Sequence, residues 1–164
     1  MSKNILFAIA LILTLLVNFP SSVSATLRQH QDAPGVMRYH SQISTRDNIG
    51  HPWQVVLYKK INPGKSPDQH LRLVGFPGVV EFLHPQVLEI ETKDGQLLTA
   101  PDVYAQESPA ASVGEYKLTS ILSQIPVDSP LKLYLPVTEK QRLSITISEN
   151  AIAEWQLLLT SIDD

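Results

Sequence analysis

Leu71-Arg72-Leu73-Val74-Gly75-Phe76-Pro77-Gly78 is the stretch on which the reading of the fold turns. Leucine, valine and phenylalanine favour a pleated, packed surface, and Gly75 leaves room for a neighbouring backbone. Pro77-Gly78 then removes a ladder donor and permits a sharp turn. The stretch reads as a buried central strand that must stop. Alternating strand candidates lie on both sides of it, so the domain is expected to be mainly β.

Downstream, residues 79–83 make a short apolar piece that His84-Pro85 breaks, and residues 87–92 form the next strand candidate. Asp94-Gly95 follows, a pair that tolerates the positive φ angles of a two-residue hairpin turn, leading into residues 96–99. Residues 106–114 read as a polar surface loop. Leu118, Ile121, Leu122 and Ile125 recur at helical spacing and predict a short helix near 118–125, stopped by Pro126. Leu131, Leu133 and Leu135, then Leu143, Ile145 and Ile147, alternate with polar residues and should pair as a hairpin. Ser148 is placed to cap a terminal helix near 149–161, whose Ile152, Trp155, Leu159 and Ile162 fall on one side.

Upstream, residues 36–45 alternate, with Met37, Tyr39 and Ile43 on one face and Arg38, His40, Gln42 and Ser44 on the other. Turn chemistry at Asp47-Asn48-Ile49-Gly50 leads into residues 53–61. There Trp53, Val55, Leu57 and Ile61 share one face and Val56 and Tyr58 the other, so this strand belongs in the middle of a sheet. Residues 62–69 carry Pro63-Gly64 and Ser66-Pro67 and read as a loop. A single domain over residues 36–164 is expected, a two-sheet sandwich by preference or a partly open barrel.

Residues 26–35 are polar and read as a flexible leader. Residues 1–25 have the three-part form of a secretory signal peptide: Lys3, an apolar run from Ile5 to Val17, and Val23-Ser24-Ala25 before a cut after Ala25. That run is too short for the roughly 20 apolar residues of a bilayer-spanning helix. Cleavage would leave 12 Lys and Arg against 16 Asp and Glu, a net charge of −4. No basic run appears, so nucleic acid is not an expected partner. With no cysteine in the chain, disulfides, thiol catalysis, iron–sulfur clusters and cysteine-based zinc sites are excluded.

Of the five histidines, none forms the i, i+4 helical pair of a metalloprotease. His40 and His51 facing each other across the first hairpin, with Met37 as a soft copper ligand, is the one metal arrangement to weigh. Exposed strand and turn histidines are the simpler account, and neither a metal nor another cofactor is expected. No serine sits in a Gly-x-Ser-x-Gly elbow, and no glycine-rich phosphate loop is present, so the domain is read as non-enzymatic. The polar residues that stand out are Arg46, Asp47, Arg72, Asp102 and Glu115, which lie beside turns or interrupt apolar strands. Arg72 either faces solvent or must find a carboxylate, with Asp47 and Asp102 as candidates. Trp53 and Trp155 read as core aromatics.

Several local patterns carry a resemblance. They are Tyr39-x-Ser41, Arg46-Asp47, Gly50, Trp53-Gln54-Val55-Val56-Leu57-Tyr58-Lys59, the 71–78 stretch, Leu98-Thr99-Ala100-Pro101-Asp102-Val103, Val113-Gly114-x-Tyr116 and Glu154-Trp155. Together they resemble a cyanobacterial family of exported proteins catalogued as a domain of unknown function. The resemblance implies a photosynthetic host, with the thylakoid lumen or periplasm as destination. From the residues themselves, no stable membrane insertion is expected once the signal is cut. The function expected is an exported, non-enzymatic binding or assembly factor that contacts a membrane-associated protein complex. A small-ligand or metal-binding β module is the alternative.

Overall fold

The computed structural model describes residues 28–160, so the proposed signal peptide, Ile162 and the final two aspartates lie outside the described residues. Among the described residues nine strands form two antiparallel sheets: β1 (Arg28–Ala33), β2 (Val36–Arg46), β3 (Pro52–Ile61), β4 (Asp68–Val74), β5 (Leu88–Glu91), β6 (Leu97–Ala100), β7 (Val113–Lys117), β8 (Leu131–Tyr134) and β9 (Ser144–Ile147). The five-stranded sheet has the order β1-β2-β3-β4-β7, and the four-stranded sheet β6-β5-β8-β9. Val55, Leu57, Leu71, Leu73 and Tyr116 of the first sheet share one buried core with Leu88, Ile90, Leu98, Leu133 and Ile145 of the second. This is the arrangement of a β-sandwich, and the sheets do not close into a barrel.

The 71–78 stretch is what its composition suggests. Its strand portion lies in β4, flanked by β3 and β7, with Leu71 and Leu73 fully buried. The chain then turns at Phe76, whose carbonyl accepts from Val79 N at 3.1 Å. Gly75 makes room for side chains rather than for backbone: a Cβ there would collide with Val80 Cγ2 and lie 3.0 Å from the Trp53 ring.

Four local expectations are corrected. Residues 28–33, taken as leader, form β1, hydrogen-bonded along β2 with Arg28 opposite His40. Every β1 residue is exposed, so no apolar alternation marks it, and backbone pairing with the ion pair Arg38–Asp32 at 2.6 Å holds it. The segment 118–125 is not a helix beyond one 3-10 turn, Leu122–Gln124. Leu118, Ile121 and Ile125 are buried, so the apolar spacing reports anchoring to the core rather than helical length. At Asp94-Gly95 the loop has three residues, with Thr92 N donating to Gln96 O and Gly95 N to Thr92 O. Only Gly95 has positive φ there, which is a type I turn closed by a glycine bulge. Finally, Arg72 pairs with neither Asp47 nor Asp102, as described below.

The terminal helix, α1 (Glu149–Thr160), is present, and Ser148 Oγ accepts from Ala151 N at 3.4 Å as its cap. It buries Ala151, Ile152, Trp155 and Leu158 against the sandwich, with Leu159 partly buried beside them. Among the described residues no helix is long and apolar enough to cross a membrane.

Candidate binding cleft on the five-stranded sheet

Alternation sends every second side chain of the five-stranded sheet away from the core. Strand register then sets these side chains in rows. Arg28, His40, Tyr58, His70 and Lys117 lie opposite one another across all five strands. Beside them run Gln42, Val56, Arg72 and Glu115 on one side, and His30, Arg38, Lys60 and Asp68 on the other.

Glu115 organises the β4–β7 side of this face. Its side chain is only 4% exposed, and it accepts from four neighbours. His70 Nδ1 lies 2.9 Å from Oε1, and Tyr58 Oη donates to the same oxygen. Arg72 Nε and Nη2 donate to Oε2 at 2.8 and 2.7 Å, and Tyr104 Oη donates to it at 2.8 Å. Burial alone would push the Glu115 carboxyl up, but the hydrogen bonds from His70, Tyr58, Tyr104 and Arg72 outweigh it and hold it at about 2. The same carboxylate, together with burial, pushes both phenols up. For Arg72, burial works against the charged form and Glu115 more than restores it.

A cleft of about 170 Å³ opens beside this group, lined by His30, Arg38, His40, Gln42, Val56, Tyr58 and Arg72. The Tyr58 ring is its floor: it stacks on His70 with centroids 5.1 Å apart, and the guanidinium carbons of Arg38 and Arg72 lie 5.1 and 5.6 Å from its centroid. His40 is held below its ordinary value, first by burial and then by the charges of Arg28, Arg38 and His30. Arranged this way, the face can bind and orient a group by charge and stacking.

A family model described as "Protein of unknown function (DUF3122)" matches residues 25–158. The chain belongs to this family. Among curated proteins, and among solved structures, nothing matches it. The family description names no reaction, so what this DUF3122 domain does has to be argued from its own side chains.

The polar residues singled out from the DUF3122 sequence fall in three places. Arg72 and Glu115 meet in the carboxylate hub. Arg46 and Asp47 sit at the β2–β3 turn: Arg46 Nη1 donates to Gly50 O at 2.6 Å. Asp47 accepts from Ile49 N, His51 N and Trp53 Nε1 at 2.9–3.0 Å. Burial would raise the Asp47 carboxyl, and these donors, Trp53 first, bring it below its ordinary value. Asp102 pairs with His84, Nδ1 to Oδ2 at 2.6 Å, and accepts from Tyr104 N.

The metal arrangement does not assemble. His40 lies opposite Tyr58, whereas His51 precedes the Arg46–Pro52 pair at the far end of the hairpin, and Met37 lies still further away opposite Ile61. Six residue steps of strand separate the His40 and Arg46 positions, about 20 Å. Among the described residues no group of three potential ligands could hold a metal ion. The residues that sequence reasoning missed are Tyr58, His70 and Tyr104 in the hub and Arg38 and His30 in the cleft. Alternation already placed Arg38 and His40 on the polar face of their strand, and Tyr58 with Val56 on the second face of the next. The missing signal was the pairing of β4 with β7, strands separated by two others in sequence.

Proposed function

We propose that this domain is an exported, non-enzymatic binding and assembly factor that contacts a membrane-associated protein complex, in the thylakoid lumen or periplasm, through the outer face of its five-stranded sheet. One observation carries the reading: Glu115, buried among four donors, fixes Tyr58, His70 and Arg72 in place on an outward-facing sheet. Ordering those side chains in advance reduces the entropy lost when a partner docks on them. The secretory pattern of residues 1–25 supports the compartment.

The test is affinity capture with the mature chain from mildly solubilised host membranes. Arg28→Glu with Arg38→Glu reverses two charges on the proposed face, and Lys93→Glu with Lys140→Glu makes the same charge change at exposed loop positions. Recovery of one complex at constant stoichiometry with wild type and the loop variant, and its loss with the face variant, is the expected result. A monomer that captures nothing, or capture indifferent to the face variant, would overturn the reading.

A further inference from the structure

We propose that the cleft between β1, β2 and β4 receives the carboxylate of an acidic side chain presented by the partner protein, held by Arg38 and His40. This rests on the outer face being the contact surface. The two arginines of the cleft differ in what they have left to offer. Arg72 spends both Nε and Nη2 on Glu115. Arg38 gives Nη2 to Asp32, while its Nε is buried without a hydrogen-bond partner, as is Nδ1 of His40. A guanidinium Nε can only donate, and leaving it buried without an acceptor costs its lost hydration. An acceptor arriving in the cleft removes that cost.

Size and lining identify the acceptor. At about 170 Å³ the cleft falls short of the roughly 300–1,000 Å³ of sites that enclose a whole small molecule, so it takes one group of something larger. Val56 and the Tyr58 ring supply an apolar wall for the methylene stem of a glutamate, which a bare phosphate would leave unused. A carboxylate also matches the side of a guanidinium, as Glu115 on Arg72 shows within the same sheet.

Proton linkage gives an independent signature. The groups facing His40 are Arg28, His30 and Asp32 of β1, Arg38 of β2, Tyr58 and Lys60 of β3, and Arg72 of β4, a mostly cationic set that disfavours the imidazolium. A bound carboxylate favours it. Binding therefore takes up a proton and tightens as pH falls.

The experiment is NMR titration of the labelled mature chain with an amide-capped penta-glutamate peptide, against capped penta-glutamine, succinate and inorganic phosphate. The glutamate peptide is expected to shift Arg38, His40 and Tyr58 and to bind more tightly at about pH 6 than at about pH 7.5, by up to about tenfold for each unit the His40 pKa rises. Arg38→Gln and His40→Phe are expected to weaken it about tenfold or more. Asp32→Asn frees Arg38 and is expected to tighten binding, a gain that misfolding cannot mimic. Equal binding of the glutamine peptide or of phosphate, shifts elsewhere on the surface, or no change in Asp32→Asn would overturn the proposal. Succinate binding as tightly as the peptide would overturn the side-chain source in favour of a free carboxylate. If membranes yield a complex through this face while the glutamate peptide does not bind, the carboxylate inference alone fails. Peptide binding without any captured complex would leave the cleft chemistry standing and remove the assembly role.

Discussion

Lys59 Nζ donates to the carbonyl oxygen of Leu159 at 2.9 Å, joining the C-terminal end of β3 to the last turn of α1 across the inner face. Lys59 is 2% exposed and its strand neighbour Tyr58 points the opposite way, so one dipeptide serves the core with one residue and the cleft with the other. A cation at a helix C-terminus satisfies an orphan carbonyl and complements the helix dipole. Lys59→Met keeps the apolar stem and removes the donor. A loss of about 1–3 kcal/mol is expected in urea unfolding, with faster amide exchange in the final turn of α1 than in β3.

Glu115→Gln leaves Arg72 without its charge partner. The Arg72 side chain is 35% exposed, so solvent screens the charge left behind, and a loss of about 1–3 kcal/mol is expected. Because the Glu115 carboxyl is held at about 2, below the ordinary 4.5, its contribution is fully present above about pH 4.5 and is lost as pH falls toward 2. Wild-type stability should therefore decline across that window, and the variant, already weaker at neutral pH, should decline less. Urea midpoints measured every half pH unit check both statements.

Asp47 is a fastening of the β2–β3 turn, not part of the cleft. Asp47→Ala strands the buried Trp53 Nε1–H and two backbone amides, so a loss of at least 2 kcal/mol is expected, with a change in near-ultraviolet circular dichroism. Affinity for the glutamate peptide, measured where the variant remains folded, should equal wild type.

Gly75→Ala places a methyl where Val80 and the Trp53 ring already sit. Overpacking of this kind costs about 1–3 kcal/mol. The urea midpoint should fall without a change in slope, and Gly50→Ala, whose Cβ would meet nothing within 4 Å although its φ is 97°, separates steric collision from backbone strain.

Where burial is written in composition, the fold was legible. Leu71 and Leu73 announce a two-sided packed strand, and Leu131, Leu133, Ile145 and Ile147 announce a hairpin with one buried face. β1 was invisible because backbone pairing is indifferent to its exposed, mostly polar side chains. The 118–125 segment misled because leucines at helical spacing bury equally well from an irregular chain. In the site, Arg72 and Glu115 were both conspicuous, yet their pairing depends on β7 crossing from beyond the whole β5–β6 hairpin to lie against β4. No local pattern encodes that register. His40 and His51 looked close only because the pairing across the hairpin, which sets His40 opposite Tyr58, was not worked through.

The β2–β3 turn does more than connect two strands, because it lies on the outer margin of the other sheet. Asp47 bridges Ile145, Asn48 N donates to Ser144 O at 3.0 Å, and Ser144 N donates to Asn48 Oδ1 at 2.9 Å. The margin of β7 is occupied likewise: Val103 N donates to Glu115 O, and Lys117 N to Pro101 O. An open strand margin is a template on which another chain can add itself, the first step toward fibres. Among the described residues two of the four margins are already taken by the chain's own loops, a third, β6, is four residues long, and the fourth, β1, is exposed and polar except for Ala33, with arginine at its start. Without a disulfide in the chain, the described residues thus leave little that a second copy could zip onto.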